Sequence, residues 1–164
     1  YYSCPVITVN ENYLGPAQLA KAYRFNADVR DEAKKERLET ISQIGSGVWD
    51  CVKCFECVEV CPKDVNPFEK ITQLHLQTFK EGVAENNVAT RHAVGFKRSI
   101  AKHGILDEGD LVLYSEGLCG MPQHLPEALN MITHGKLPMP WGLPKSKNLD
   151  EVKKLVKISS TSKF

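Results

Sequence analysis

The sequence has no surplus of charge of either sign and no long apolar run. Its 164 residues carry 21 basic and 20 acidic side chains, which leaves a formal net charge of +1. Binding to a nucleic acid requires a basic excess on one face, so this balance argues against such a partner. No apolar stretch reaches the length of a membrane span, and a chain that is 42% hydrophobic and 25% charged is typical of an ordinary soluble globular protein.

Strand signals are also scarce. The single convincing β-branched run is residues 6–9, which we expect to form a short strand. Elsewhere apolar residues recur at helical spacing between start and stop signals such as Asn66, Asp107 and Gly104. Residues 137–144 contain three prolines and are predicted to be extended. The chain is therefore predicted to be mainly α-helical, with a cysteine-bearing half, residues 1–85, and a cysteine-poor helical extension, residues 86–164.

Four of the six cysteines fall within residues 51–61, and such crowding favours a metal site over disulfides. Cys51, Cys54, Cys57 and Cys61, followed by Pro62, fit the run C-x2-C-x2-C-x3-C-P that bacterial ferredoxins use. The two-residue spacers allow three thiolates to surround one corner of a [4Fe–4S] cluster. The fourth cysteine points away, and in proteins with two clusters it binds the other one.

A count of the ligands extends this interpretation. A four-iron cluster needs a fourth thiolate, and Cys4 belongs to the one other Cys-Pro pair in the sequence. We therefore expect Cys4 to complete the cluster of Cys51, Cys54 and Cys57. Cys61 would then bind a second [4Fe–4S] cluster whose other ligands lie upstream of this chain, so we expect the chain to be the C-terminal part of a longer protein. Two alternatives stay open: a zinc site, and a cluster that only stabilises the domain.

The remaining residues suggest no chemistry of their own. Cys119 reads more simply as a buried free thiol than as part of a redox site, and the five histidines show no metal-ligand spacing. Trp49, just before the cysteine run, is expected to shield a cluster. No phosphate-binding loop and no nucleophile–base pairing is present. We therefore predict no catalytic site within the chain.

The sequence resembles the iron–sulfur subunit of succinate dehydrogenase and fumarate reductase. The residues that carry the resemblance are Cys4-Pro5, Tyr13-Leu14-Gly15-Pro16-Ala17, Ala22-Tyr23-Arg24-Phe25, Asp28-Val29-Arg30-Asp31 and Cys61-Pro62-Lys63-Asp64-Val65-Asn66-Pro67. The resemblance implies a helical ferredoxin-type domain with two clusters, behind an N-terminal [2Fe–2S] domain.

The resemblance also implies a role in the respiratory chain and the tricarboxylic acid cycle. The subunit would pass electrons between an FAD-bearing flavoprotein subunit and a quinone or a further redox subunit. It would belong to a succinate/fumarate oxidoreductase complex as a peripheral subunit, associated with the membrane at its cytoplasmic face.

Two departures from the family pattern carry information. The family's usual second cysteine run lacks a residue equivalent to Cys54 and binds [3Fe–4S], which remains the alternative for this site. With Cys54 present, a fourth iron can be held. The residues that contribute to the family's quinone site are replaced here by Thr8, Val9 and Val52, so a quinone pocket of the usual kind is not expected.

The second half looks like a variant branch. Residues 90–96, with Lys102-His103-Gly104 and Leu106-Asp107-Glu108, resemble the C-terminal extension of archaeal-type succinate dehydrogenases. They are also similar to the small subunit of heterodisulfide reductases. In those systems the family implies a cysteine-rich partner subunit. The alternative function is therefore the small iron–sulfur subunit of a heterodisulfide reductase-like or glycerol-3-phosphate dehydrogenase-like complex.

Overall fold

The computed structural model describes residues 2–136 and 146–161, without the side chains of Leu118, Cys119, Met121 and residues 159–161. Within these ranges the chain forms α-helices and no strand, which confirms the mainly α-helical prediction. The helices are α1 (Pro5–Val9), α2 (Gly15–Asn26), α3 (Lys34–Ile41), α4 (Glu56–Glu59), α5 (Pro67–Lys80), α6 (Val88–His103), α7 (Glu108–Thr133) and α8 (Leu149–Thr161). The segment predicted to be extended, residues 137–144, lies outside the described residues.

The chain divides into two compact units, Tyr1–Glu85 and Asn86–Phe164. In the first unit, α2 packs against α5, and α3 contacts both helices. A 3₁₀ turn at Val48–Asp50 leads from α3 to the cysteine run. Seven buried apolar side chains form the core of this unit: Tyr13, Leu19, Leu38, Ile41, Val48, Ile71 and Leu74.

The starts of the two core helices follow from local chemistry. Pro16 occupies the first turn of α2, where its missing N–H has no helical partner to lose. Asn66 caps α5 through its side chain, which accepts a hydrogen bond of 3.2 Å from the N–H of Glu69. Ile71, Leu74 and Thr78 then point to the same buried face of α5.

The strand expected at residues 6–9 is wrong, because this segment forms the short helix α1. Pro5 lies in the first turn of α1, where its fixed φ favours a helical start. The Thr8 hydroxyl donates 2.6 Å to the Pro5 carbonyl, and the Asn10 N–H donates 2.8 Å to the Val6 carbonyl. The β-branched run is too short to form a strand without a neighbouring strand, so these local hydrogen bonds decide its conformation.

The second unit contains α6, α7 and α8, and α6 packs against both of the others. Asn87 and Asp107 cap α6 and α7 with side-chain acceptors. Gly117, with φ 72° and ψ −173°, interrupts α7, because this backbone conformation is open to glycine alone. Within the described residues, no helix is both long enough and apolar enough to span a bilayer.

Candidate iron–sulfur site

Four of the five cysteines predicted as ligands line one cavity in the first unit. They are Cys4, Cys51, Cys54 and Cys57, and the cavity that they line is small and partly open to solvent. Cys54 is exposed, and the other three are partly buried. Cys61 lies outside this cavity, beyond the end of α4. The structure therefore places four of the five predicted ligands at one cavity and Cys61 outside it.

The loop that carries Cys51 and Cys54 has an unusual backbone. Lys53 and Phe55 both adopt left-handed conformations, with φ of 58° and 66°. Such values cost energy for residues other than glycine, so the surrounding contacts must hold the loop in place. One such contact is the tilted packing of the Phe55 ring on the Phe68 ring, whose centroids are 4.2 Å apart. The two turns fold the run back on itself and aim its thiols into the cavity.

Cys4 reaches the same cavity because hydrogen bonds tie its segment to the loop before the cysteine run. The Asn10 side chain donates 2.7 Å to the carbonyl of Gly45, and the Leu14 N–H donates 3.0 Å to the carbonyl of Ser46. The Asp50 carboxylate in turn accepts hydrogen bonds from the N–H groups of Gly45 and Gly47. These contacts set the positions of two segments that are far apart in the sequence.

The close approach at this loop requires glycine at position 47. A Cβ atom at Gly47 would lie 2.0 Å from the carbonyl oxygen of Ile41 and 2.6 Å from that of Gln43. Both neighbours are backbone atoms and cannot rotate away. The path of the chain into Cys51 therefore depends on this residue having no side chain.

The electrostatic environment of the cavity disfavours the simultaneous deprotonation of several free thiols. Burial raises the pKa of the Cys51 thiol, while the Lys53 N–H and the Tyr13 hydroxyl lower it by hydrogen bonding. Burial also raises the pKa of the Cys57 thiol, and the neighbouring thiolates add to the shift. Four thiols that face one cavity need a cationic group between them to be deprotonated together.

Cys61 has a different environment. The Val65 N–H donates to its sulfur at 3.4 Å, and hydrogen bonds from Val65 and Lys63 lower the pKa of the Cys61 thiol. The turn that supplies these N–H groups contains two left-handed residues, Asp64 and Asn66, each with φ of 50°. The backbone N–H groups therefore favour the thiolate form of Cys61, whose sulfur is separate from the four-cysteine cavity.

Apolar and aromatic side chains complete the cavity wall, among them Tyr13, Phe55, Phe68 and Ile71. Trp49 has a different place: its ring packs against His75 and Phe79, and its indole N–H donates 3.2 Å to Ser42. Sequence reasoning thus assigned the shielding role to Trp49 and missed Tyr13 and Phe55. Phe55 lies inside the cysteine run, and its position between two ligand candidates could have indicated its role.

The donor set suits an iron–sulfur cluster. Thiolates are soft ligands, and such clusters are held by four cysteines. Among the residues that the structure describes, no three His, Cys, Asp or Glu side chains come close enough together to hold a single metal ion. The four thiols border a cavity rather than a point. Cys119 is on α7, but its side chain lies outside what the structure describes.

Comparison with known proteins gives the same class of site. Residues 1–65 match the family model described as a 4Fe-4S dicluster domain. The chain is 40% identical over 81 residues to the fumarate reductase iron–sulfur subunit of Escherichia coli O6:H1, which covers 49% of this chain and 33% of the relative. The succinate dehydrogenase iron–sulfur subunit of Coxiella burnetii is 39% identical over 80 residues, covering 48% of this chain and 34% of the relative.

A third relative, the fumarate reductase iron–sulfur subunit of Haemophilus influenzae, is 39% identical over 83 residues. No solved structure matches. The chain spans about a third of the length of the curated relatives it matches. The first part of the chain thus has the 4Fe-4S dicluster pattern. The sequence also predicted a resemblance of the chain to the iron–sulfur subunits of fumarate reductase and succinate dehydrogenase. The comparisons confirm this resemblance.

Proposed function

We propose that this chain is an iron–sulfur electron-transfer subunit of a succinate dehydrogenase/fumarate reductase-type complex. It would hold one [4Fe–4S] cluster on Cys4, Cys51, Cys54 and Cys57. The observation that carries the proposal is that these thiols, from two segments far apart in the sequence, line one cavity. When bound, the cluster would accept and release one electron at a time.

The chain's own residues would bind the cluster, position it and exclude water. The left-handed turns at Lys53 and Phe55 would orient the run, and the Phe55–Phe68 pair would cover the exposed edge near Cys54. The buried core behind Ile71 would keep the inner wall of the cavity dry. Exclusion of water and hydrogen bonding to sulfur are the means by which a protein sets a cluster's reduction potential.

Cys61 would bind a second [4Fe–4S] cluster, together with cysteines that this chain does not supply. Its sulfur already accepts backbone N–H groups, which suits a thiolate ligand. A [2Fe–2S] cluster, which the resemblance implies, would also belong to another segment or chain. The order of electron flow would then run through the Cys61 cluster to the four-cysteine cavity, or in reverse.

The partners follow from the same proposal. A flavoprotein subunit with FAD would exchange electrons at one end, and a membrane-associated or cysteine-rich redox subunit, or a quinone, at the other. The complex would lie at the cytoplasmic face of the membrane. The archaeal-type branch is part of this proposal because of the second unit, whose sequence resembles that branch's extension.

The test is iron and acid-labile sulfide analysis with EPR spectroscopy, on the intact complex before and after dithionite. We expect a [4Fe–4S] signal from the cavity that appears only on reduction. A strong [3Fe–4S] signal in the oxidised sample would mean that Cys54 is not a ligand. Zinc in place of iron and sulfide would overturn the proposal. A cluster that dithionite and the natural electron donor both fail to reduce would point to a purely structural role.

Single cysteine variants test the ligand set. Cys51→Ser and Cys57→Ser should remove the cavity cluster, whereas Cys54→Ser should leave a [3Fe–4S] centre, because Cys54 is exposed and its side is the most open. Cys119→Ser is the matched control and should keep the full iron content. Loss of iron in Cys119→Ser, or none in Cys51→Ser, would show that the ligands are assigned wrongly.

The flavoprotein partner separates the two candidate complexes. The test is to purify the intact complex with its partners and to assay it with succinate, fumarate, glycerol 3-phosphate and a heterodisulfide. The substrate that is turned over identifies the complex. Succinate- or fumarate-linked turnover supports the proposal. Turnover with glycerol 3-phosphate or a heterodisulfide would favour the alternative complex.

A further inference from the structure

The second unit contains an apolar cleft of its own. Gly117 interrupts α7, and the stretches of α7 before and after it line the two sides of this cleft. Five apolar side chains form the walls of what we call the α7 cleft: Val112, Leu113, Leu125, Ala128 and Met131. Its volume is about 260 Å³. Pockets for drug-sized molecules usually measure about 300–1,000 Å³, so the α7 cleft is better suited to side chains of a partner protein.

The apolar surface continues beyond the α7 cleft. Leu125, Leu129 and Ile132 follow one another at helical spacing and are 56%, 54% and 50% exposed. Leu113, on the stretch of α7 before Gly117, is 42% exposed. Single exposed apolar residues are common, but a stripe that borders an apolar cleft is typical of a surface that another protein covers. A partner helix fits such a surface, because it can place side chains at i, i+3 or i+4 and i+7 along a groove.

The charges around the α7 cleft are mainly acidic. Glu108 and Glu127 line it together with the apolar residues. His124 also lines it, and its ring lies 2.8 Å from the Glu116 carboxylate and 3.7 Å from that of Glu127. A single imidazolium offsets at most one of these charges. Residues 107–135 contain no lysine or arginine, and their acidic side chains are Asp107, Glu108, Asp110, Glu116 and Glu127.

The basic side chains of α6 that contact α7 do not offset this charge at the α7 cleft. The Arg91 Nε donates 2.7 Å to the Ser115 carbonyl, and the Arg98 guanidinium lies 5.1 Å from the centroid of the Tyr114 ring. Neither arginine lines the α7 cleft. An acidic rim repels anionic lipid surfaces and nucleic acids, both of which bind basic segments. The charge therefore favours a basic segment of a protein as the occupant.

We propose that the α7 cleft binds an amphipathic helix of another subunit, with apolar side chains along one face and lysine or arginine residues beside them. The inference rests on the proposed function, which makes the partner a subunit of the same complex. The apolar side chains would enter the α7 cleft and cover Leu125, Leu129 and Ile132. The basic side chains would lie near Glu108 and Glu127, where charge complementarity sets the orientation and the rate of association.

The first experiment is photo-crosslinking in the intact complex. The photoreactive residue p-benzoylphenylalanine replaces Leu129, and mass spectrometry identifies the peptide that becomes attached. We expect a segment of another subunit with apolar residues at helical spacing and lysine or arginine beside them. The same replacement at Leu155 on α8, which is 66% exposed, is the matched control and should not capture that segment. No crosslink from position 129, or crosslinks only to this chain, a second copy of it, lipid or an acidic segment, would overturn the proposal.

The second experiment uses the full chain and a designed probe. The probe is a fluorescent helical peptide with leucine at i, i+3, i+4 and i+7 and lysine elsewhere, and a peptide with glutamate in place of lysine is its control. Fluorescence anisotropy measures binding. We expect the lysine peptide to bind about tenfold more tightly than the glutamate peptide, because only the first complements the acidic rim.

Variants locate the binding of the lysine peptide. Glu127, whose side chain is 79% exposed, can be changed without disturbing a core. Glu127→Lys should weaken binding about tenfold, because it replaces an attraction by a repulsion. Leu129→Ala should weaken it about fivefold through the loss of apolar contact. Glu151→Lys, at an exposed position on α8, is the matched control and should leave binding unchanged.

The outcomes separate the two proposals. If the intact complex contains no iron and sulfide, the proposed function fails, whereas peptide binding to the full chain still tests the α7 cleft. If the complex contains its clusters but the two peptides bind equally, only the role of the α7 cleft is overturned. Equal weakening by Glu127→Lys and Glu151→Lys would also overturn it, because the peptide would then respond to the overall charge of the chain.

Discussion

The two units of the chain achieve packing in different ways. The first has seven buried apolar side chains in one core. In the second, among the described residues, Leu111 is the buried large apolar side chain, and the other buried contacts come from Thr90, Gly95, Ser99 and Ser115. The helices of the second unit approach through small residues and hydrogen bonds: Ser99 accepts from the Asp107 N–H at 2.7 Å.

The difference in burial has a consequence for the cysteine run. Left-handed turns and a close loop are costly, and the first unit can sustain them because a continuous apolar core lies directly behind the cysteine run. The second unit buries less and exposes more. Leucines and isoleucines on α7 and α8 are half exposed or more: Leu125, Leu129, Ile132, Leu155 and Ile158. We therefore expect substitutions of core residues in the first unit to lower the free energy of unfolding more than substitutions of exposed residues in the second unit.

The largest effect is expected in the core of the first unit. Leu19→Ala should lower the free energy of unfolding by about 2–5 kcal/mol, because Leu19 is 0% exposed and its removal leaves a cavity. Leu155→Ala in the second unit, where Leu155 is 66% exposed, is the control and should change stability by less than about 0.5 kcal/mol. Denaturant unfolding measures both. Equal losses would mean that the cores of the units do not differ.

The next-largest effect is on the free energy of unfolding as the pH changes. We expect this pH dependence to have opposite signs in the two units. His75 is mostly buried against Trp49, and its Nε2–H donates 2.8 Å to the Val48 carbonyl. Burial lowers the pKa of His75 from 6.5 to about 4. The unfolded chain therefore binds a proton between these values that the folded chain does not. Stability falls as the pH drops from 6.5 toward 4, by at most about 3 kcal/mol.

In the second unit, Glu116 at 2.8 Å raises the pKa of His124 above its ordinary value, and Glu127 adds to the effect. This contact stabilises at acid pH and is lost as the pH rises through the raised pKa. Unfolding is measured from pH 4.5 to 7.5. His75→Gln, which stays neutral and can still donate to Val48, should flatten the acid loss, whereas His124→Gln should steepen it. An unchanged acid slope in His75→Gln would contradict the assignment.

A smaller effect tests the small-residue packing of the second unit. A Cβ at Gly95 would lie 2.9 Å from the Tyr114 ring and 3.1 Å from the Leu111 side chain. Gly95→Leu should therefore force α6 and α7 apart and destabilise by about 1–3 kcal/mol. Val94→Leu is the control, since Val94 is 39% exposed on the same helix. Thermal unfolding compares them. If Gly95→Leu is as mild as Val94→Leu, the helices do not depend on this close approach.

The smallest effect separates two asparagine caps. Asn66 caps α5 in a left-handed conformation with φ of 50°, and Asn87 caps α6 in an extended one with φ of −123°. Replacement by alanine should cost about 1 kcal/mol at either cap. At Asn66 alanine also suffers in the left-handed region, so the gap between alanine and glycine variants should be about 1 kcal/mol larger there. Equal gaps in urea unfolding would show that the backbone at position 66 is not strained.

Much of the fold could be predicted because its signals are local. Asn66, Asp107 and Gly104 mark helix ends in the structure as their residue types indicate. The error at residues 6–9 has a physical reason, since β-branched residues favour a strand only where a neighbouring strand exists. The preceding Cys4-Pro5 pair contained the information that the segment could start a helix, but propensity alone does not rank these two outcomes.

The sequence by itself determined the grouping of Cys51, Cys54 and Cys57, because two-residue spacers keep three thiols within one turn of chain whatever surrounds them. It also indicated Cys4, through the repeated Cys-Pro pair, but it contained no distance. The tertiary structure decided that Cys4 faces the same cavity, through the hydrogen bonds of Asn10 and Leu14 to the loop at residues 45–46. It alone placed Tyr13 in the wall of the cavity that Cys51 also lines, because proximity across 38 residues depends on how helices pack and not on spacing.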